Sequence, residues 1–263
     1  VHLDEVRAAV KDLPEFIIAE RDWGYVANYV VSTKDTFPAV QTSGGSAKMR
    51  AEATRAKSIR RECRGLLFDR NGCLISRPFH KFFNVGEKDE TLPEKIDLSH
   101  PHVILEKLDG SMVRPFPVED GFRLATKMGI TDVSMQAEVF VADHPNYDEF
   151  IRLHLERGQT PIFEWCSRKQ RIVLDYPVDR LVLTAIREIN SGEYKSYQQM
   201  LEYGDAYNVE VVRAYEGTLA NMESLVHETR GLQGQEGWVI RFDDGHMAKI
   251  KSEEYVTIHR AKE

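Results

Sequence analysis

Apolar positions in this chain recur at two spacings, one near two residues and one near three and a half, which predicts a mixture of strands and helices. Val6, Val10 and Leu13 share a helical face that Pro14 closes. Residues 25–32 read as a strand. Across residues 37–60 the chain turns polar, and Gly44, Gly45 and Ser46 mark a flexible loop. Residues 65–69 and 73–77 predict a hairpin around Asn71-Gly72, a dipeptide suited to a tight turn. The β-prone run 102–105 breaks at Asp109-Gly110 and resumes at 112–116. Helices are expected at 133–142 and 147–157, the second with Asn146 as N-cap, Glu149 at N3 and Gly158 as its stop. Strands follow at 161–166, 172–174 and 181–187, then short helices at 197–203 and 219–229. A last hairpin pairs 237–242 with 247–251 across Asp243-Asp244-Gly245. Hairpins with interspersed helices argue for an α+β fold over a doubly wound parallel sheet.

Composition narrows the reading. The 263 residues, 42% hydrophobic and 29% charged, suit one large domain or two small ones. A net charge of −7 means that contact with nucleic acid must rest on local patches. One such patch lies between residues 48 and 64, where Lys48, Arg50, Arg55, Lys57, Arg60, Arg61 and Arg64 oppose only Glu52 and Glu62. It reads either as a nucleic-acid backbone contact made by Arg55, Lys57 and Arg60 or as a solvated loop. Cys63, Cys73 and Cys166 are too few and too scattered for a disulfide framework, so they are expected as reduced thiols in a cytoplasmic protein. No apolar run is long enough for a bilayer span, and the N-terminus has no signal-peptide pattern. The chain opens on Val1, as a processed or trimmed chain would.

The chemistry starts at Lys107-Leu108-Asp109-Gly110, a K-x-D-G run where a strand ends. Alone it is weak, since about one chain in 20 of this length contains it by chance. Its plain alternative is an exposed lysine beside an Asp-Gly turn. Glu164 interrupts one apolar strand and Glu236 opens another, positions where a carboxylate is costly unless paired or metal-bound. Lys249 and Lys251 alternate with Ile250, so both project from one face, either as a phosphate cradle or as a solvated strand edge. Trp165 and Trp238 read as core or wall, Phe83 as core or nucleotide contact, and the histidines show no ligand spacing.

In this order, K-x-D-G, a strand Glu, an E-G-aromatic-V strand and K-x-K resemble the covalent nucleotidyltransferase superfamily of ligases and capping enzymes. The chain looks most like the RNA ligase 1 family of T-even bacteriophages. Carrying the resemblance are Glu62-Cys63-Arg64-Gly65, Ser76-Arg77-Pro78, Lys81-Phe82-Phe83-Asn84, Lys107 to Ser111, Phe163-Glu164 and Arg171-Ile172-Val173-Leu174. Arg187-Glu188, Gly192-Glu193-Tyr194, Glu236-Gly237 and Lys249-Ile250-Lys251-Ser252 complete the series. Met112 stands where DNA ligases and capping enzymes usually carry Arg, which fits the phage-type RNA ligases.

The resemblance implies a nucleotidyltransferase (ATP-grasp-like ligase) fold, with antiparallel sheets flanked by helices. It implies ATP and Mg²⁺ or Mn²⁺ as cofactors, and RNA 5′-phosphate and 3′-hydroxyl ends as partners. Lys107 would attack the ATP α-phosphorus, hand AMP to the RNA 5′-phosphate, and so prepare that end for a 3′-hydroxyl. Roughly one lysine in 2,500 is neutral at pH 7 with an ordinary pKa of about 10.4, so burial and cationic neighbours are expected to lower that of Lys107. Asp109, Lys249 and Lys251 join Lys107 as catalytic residues. Arg64, Lys81, Lys127, Glu106, Glu164, Glu236, Lys249 and Lys251 are expected on the nucleotide, and Glu164, Glu236 and Asp109 on the metal. Residues 1–263 are expected to form one adenylyltransferase domain, with 1–100 an N-terminal portion and 101–263 a catalytic core. The chain ends about a dozen residues after Lys251, so neither an OB-fold nor the family's helical C-terminal domain is expected. Two rivals remain. A GTP-dependent mRNA-capping guanylyltransferase is disfavoured by Met112 and the Lys81 to Asn84 element. A non-catalytic RNA-binding module ranks last, because every expected catalytic position holds a competent residue. Nothing in the sequence signals an oligomeric state.

Overall fold

A computed structural model describes residues 1–167, 178–217, 219 and 221–262. The strand expected at 172–174, and with it the Arg171 to Leu174 run, lies outside the described residues. In chain order, α1 (Leu3–Ala9) leads to β1 (Phe16–Arg21), β2 (Gly24–Tyr29), α2 (Ala47–Glu62), β3 (Arg64–Phe68) and β4 (Leu74–Ser76). Next come β5 (Phe83–Asn84), β6 (His102–Lys107), β7 (Ser111–Val118), β8 (Gly121–Ala125), α3 (Asp132–Ala142) and α4 (Pro145–Glu156). The remainder is β9 (Gln159–Cys166), β10 (Arg180–Glu188), α5 (Tyr197–Tyr207), α6 (Met222–Arg230), β11 (Gly237–Phe242), β12 (Met247–Lys251) and α7 (Glu253–Lys262). Helices interspersed with hairpins give the expected α+β class. The three sheets have strand orders β1-β2-β3-β4, β10-β9-β7-β8 and β5-β12-β11-β6.

Two units divide the chain. The first comprises Val1–Lys81, Val113–Ile162 and Ile186–Glu193, and the second Phe82–Met112, Phe163–Ala185 and Tyr194–Glu263. In the first, β1 to β4 form an antiparallel meander. Val26, Leu67, Phe116 and Ala125 make a buried core there, with Trp23 against the Phe116 ring. The flexible loop expected across 37–60 is corrected by α2, which spans 16 residues of that stretch and its border. It is rich in Ala, Arg, Lys and Glu and free of Gly and Pro, and the Ser46 hydroxyl caps it by accepting from the Met49 N–H. Only Ile59 of this helix is buried, so it lacks the apolar stripe that announces most helices. The expected Asn146 cap is also corrected: α4 starts two residues earlier, with Pro145 at its first position and His144 before it. Proline's fixed φ suits that position.

The end of α2 is anchored by a buried ion network. Glu62 Oε1 accepts from Arg77 Nε at 3.1 Å and from Arg187 Nη1 at 2.8 Å, and Oε2 accepts from Arg187 Nη2 at 2.7 Å. The two guanidiniums also donate to the carbonyls of Ile189, Pro78 and Gly192. Helix, β4 exit and β10 end are thereby tied together.

In the second unit β6, β11 and β12 are antiparallel neighbours, and β5 joins β12 in parallel. Ile104, Trp238, Ile240, Ala248 and Ile250 cover one face, with Met222 and Leu225 of α6 packed in the same cluster. The helix α7 was not anticipated. Its start is marked by Ser252, whose hydroxyl accepts from the Tyr255 N–H at 3.1 Å and donates to the Gln235 carbonyl at 2.8 Å.

Burial by itself pushes the Glu62 carboxyl up, but the charges of Arg187 and Arg77 outweigh it and bring it down to about 2. A depressed carboxyl stabilises the fold above its unfolded pKa, near 4.5, and loses that contribution as pH falls toward 2. That contribution is on the order of 3 kcal/mol. Melting temperature should therefore drop steeply below pH 4.5, and Glu62→Gln should flatten that limb while lowering stability at pH 7. An unchanged acid limb in the variant would exclude this role.

Candidate active site

The second unit aligns the K-x-D-G lysine with the K-x-K strand. β6 ends at Lys107, which pairs with Gly237 of β11, and Gly237 pairs in turn with Lys251 of β12. Directly paired residues project to the same face, so both lysines rise from one side, with backbones about 10 Å apart and glycine between. Glycine is required in the middle: a Cβ on Gly237 would lie 1.8 Å from the Ile250 carbonyl oxygen. Lys249, two residues earlier, pairs with Val239 on the same face, while Ile250 points into the core, as the alternation predicts.

Lys107 Nζ lies 2.6 Å from Glu236 Oε1, with the carboxylate side chain only 4% exposed. Burial pushes the Glu236 carboxyl up, the Lys107 ammonium opposes this, and the Asp109 charge reinforces it; the net shift is upward. Where cationic neighbours were expected around Lys107, the partner at its amine is a carboxylate. Asp109 is also buried, and its Oδ1 accepts from the Tyr255 hydroxyl at 3.1 Å. Glu164 Oε1 accepts from the Gly110 N–H at 3.1 Å, holding the turn after the lysine. Burial raises the Tyr255 phenol, followed by the negative charges of Glu236, Asp109 and Glu164, so three carboxylates act on one hydroxyl. Lys249 Nζ sits 5.4 Å over the Phe82 ring and Lys251 Nζ 5.7 Å over the Tyr255 ring. Glu106 pairs with Arg213 at 3.2 Å, and that guanidinium lies 5.9 Å over the Trp238 ring. Trp165, Trp238 and Phe83 are buried. Among the described residues no three His, Cys, Asp or Glu side chains form a ready metal cage. The nearby donors are all carboxylate oxygens, a set suited to hard divalent cations that keep several waters.

The first unit gathers cations from three separate stretches. Lys81 Nζ is 3.3 Å from the Tyr29 hydroxyl and 4.9 Å over its ring, and Lys127 Nζ is 5.5 Å over the same ring. Burial pushes the Tyr29 phenol up, but Lys81, Lys127 and Arg64 together pull it below its usual value. Lys127 is pushed down by burial first and then by the charge of Arg64. Arg64, Lys81 and Lys127, separate in sequence, therefore share one aromatic residue. The candidate RNA contacts behave differently. Arg55 pairs with Glu5 at 2.8 Å, Lys57 donates to the Thr42 hydroxyl, and Arg60 donates to the Ala9 carbonyl. Sequence reasoning missed Tyr29, Tyr255 and Arg213, which belong to no motif; for Tyr255 the signal was the Ser252 cap followed by two acidic residues.

A family model described as RNA ligase, of the T4 RNA ligase 1 type, matches residues 62–255. The chain belongs to this RNA ligase family. Among curated relatives, a Thermovibrio ammonificans protein named "Putative RNA ligase" is 32% identical over 226 residues, covering 82% of this chain and 57% of the relative. An archaeal ATP-dependent RNA ligase structure aligns with a TM-score of 0.61 at 15% identity, over 96% of this chain and 62% of that one. A Naegleria gruberi RNA ligase solved with ATP and manganese aligns with a TM-score of 0.56 at 16% identity, over 70% and 58%. At such identities the structures speak for the fold. This chain spans about half the length of the curated relatives it matches.

Within this RNA ligase family member, the matched segment contains Arg64, Lys81, Lys107, Lys127, Glu164, Glu236, Lys249 and Lys251, whereas Tyr29, Arg55, Lys57 and Arg60 precede it. Among the described residues no helix is long and apolar enough to cross a membrane. The raised Glu236 carboxyl has a consequence for stability. Because burial exceeds the return from Lys107, the charged form disfavours the fold increasingly as pH rises through and above 4.5. Glu236→Gln should thus melt higher than the parent at pH 7.5, with the gap narrowing at pH 4.5. A parent that melts higher at pH 7.5 would contradict this.

Proposed function

We propose that residues 1–263 are the adenylyltransferase domain of an ATP-dependent RNA ligase, joining RNA 5′-phosphate and 3′-hydroxyl ends through lysyl-AMP and adenylylated RNA. Family membership supports this, and one observation carries it: the Lys107 amine is held 2.6 Å from a buried carboxylate, with Lys251 beyond a glycine in the same cross-strand row. The finer fold we assign is the ATP-grasp-like ligase form of the nucleotidyltransferase fold.

In the first step the Lys107 Nζ lone pair attacks the ATP α-phosphorus. A P–N bond forms, and the bond to the bridging oxygen breaks with its electron pair, releasing pyrophosphate. The nucleophile must be neutral, so its proton needs an acceptor. Glu236 is at hand for it, with a carboxyl already raised by burial. An RNA 5′-phosphate oxygen then attacks the lysyl-AMP phosphorus and the P–N bond breaks, returning a proton to the amine. Finally a 3′-hydroxyl attacks the activated 5′-phosphorus and AMP departs. Lys249 and Lys251 neutralise phosphate oxygens from the strand beside the nucleophile, and Asp109, fixed by Tyr255, sets the turn that aims Lys107. Glu106 contributes to the nucleotide site beside its own strand. Arg64, Lys81 and Lys127 bind phosphate oxygens, Arg64 with the planar fork that suits them. Mg²⁺ or Mn²⁺ held by Glu164, Glu236 and Asp109 would neutralise charge on the α-phosphate; the all-oxygen donors fit such an ion.

Incubation with ATP and Mg²⁺ should add the mass of one AMP to the intact protein, on Lys107, and Lys107→Ala should abolish it. An adduct on another side chain, or none in the parent, would end this reading. We assign the RNA backbone to Arg55, Lys57 and Arg60. Neutralising all three should weaken sealing and flatten its salt dependence while sparing lysyl-AMP formation. Equal loss of both activities would refute that division of labour.

A further inference from the structure

Arg114 has no part in the reaction as written, yet it sits among the groups that present the phosphate-binding cations. It lies on β7 opposite Ala125 of β8 and is fully buried, with 0% of its surface exposed. A guanidinium in that setting is costly unless its fork is used. The fork is used on backbone: Nη1 donates to the Thr126 carbonyl at 3.0 Å and Nη2 donates to the Gly65 carbonyl. Gly65 follows Arg64, and Thr126 precedes Lys127. One rigid planar group therefore bridges the two backbone points from which Arg64 and Lys127 depart. The approach is close enough to need glycine. Gly65 has φ +95°, and a Cβ there would lie 2.9 Å from the Lys127 carbonyl oxygen and 3.1 Å from Arg114 Nη1. Burial, then the charge of Arg64, pushes the Arg114 guanidinium down to about 9, so it remains a cation at neutral pH. Among the described residues neither Arg64 nor Lys127 has a carboxylate partner, which leaves their charge available to an anion.

We propose that Arg114 is a positioning residue of the phosphate site, its guanidinium fixing the separation of Arg64 and Lys127 through the carbonyls of Gly65 and Thr126. This rests on the reading of Arg64 and Lys127 as phosphate ligands. Lysine at 114 keeps the charge but cannot span both carbonyls with one ammonium.

The test measures binding of ATP, tripolyphosphate and AMP to the whole chain by calorimetry, in the parent and in Arg114→Lys. With the fork lost and the charge kept, ATP and tripolyphosphate should weaken about tenfold, while AMP, which lacks the outer phosphates, should stay within about twofold. Melting curves establish that the variant is folded. A folded Arg114→Lys that binds tripolyphosphate as the parent does overturns the proposal, as does an equal loss of AMP binding. Should Arg114→Lys not fold, Gly65→Ala disturbs the same junction from the other side and must show the same selective loss. Failure of both to fold assigns Arg114 to the core instead and overturns the positioning role. Arg64→Ala tests the underlying reading separately. If tripolyphosphate binding survives Arg64→Ala, the phosphate reading falls; if it is lost there but kept in Arg114→Lys, only the positioning role falls.

Discussion

The contact between Lys107 and Glu236 governs how the second unit is built. Taking a carboxylate out of water costs several kcal/mol, which one ammonium offsets here only in part, and only because the geometry is held rigidly. The rigidity comes from strand register. Lys107 is fixed on β6 by its pairing with Gly237, the residue that follows Glu236, so donor and acceptor are placed by adjoining backbone positions. The core beneath, with Ile104, Trp238 and Ile250 against α6, keeps the three strands in that register. The start of α7 locks the other side. The Ser252 N–H donates to the Glu236 carbonyl at 2.7 Å, and three residues on, the Tyr255 hydroxyl reaches Asp109. Two acidic neighbours of Lys107 are therefore secured by one helix start.

Two sets of cations among the described residues differ in what surrounds them. Arg77 and Arg187 share the carboxylate of Glu62 and hold carbonyls, an arrangement that satisfies them and stiffens the fold. Lys81 and Lys127 are instead placed over the ring of Tyr29, and Lys81 also lies 5.7 Å over the ring of Phe37. An aromatic face orients an ammonium without neutralising it. Net charge alone hides this, because a value of −7 averages over both kinds.

Strand content was legible because alternation is local. The β3–β4 and β11–β12 hairpins and the shared face of Lys249 and Lys251 follow from neighbours a few residues apart. Motif order placed Lys107, Glu164 and Glu236 on the list of functional residues, and the fold puts all three in one unit. Long-range pairing was not legible. That Gly237 would face Lys107, or that Lys127 would join Lys81 at Tyr29, depends on strand partners many residues away. The helix α2 escaped detection for a different reason: with one buried residue it has almost no apolar pattern, and the glycines before it suggested a loop. The Asn146 cap failed because Pro145 already starts that helix. Tyr29 and Tyr255 act singly, and a lone aromatic residue has no spacing to read.

The two units, each taken by itself, share one construction rule. Arg64 and Glu236 are each followed by a glycine whose missing side chain lets a neighbouring backbone come into contact: the Lys127 carbonyl at Gly65, the Ile250 carbonyl at Gly237. A charged side chain on a strand normally stands at the distance that two Cβ-bearing backbones allow. The missing Cβ beside it lets another stretch of backbone come close, and with that stretch comes its own charge, Lys127 in one case and Lys251 in the other. The dipeptides Arg-Gly and Glu-Gly therefore let charges from separate stretches of the chain come together. A larger residue at either position would separate the charges while leaving every charged side chain in the sequence.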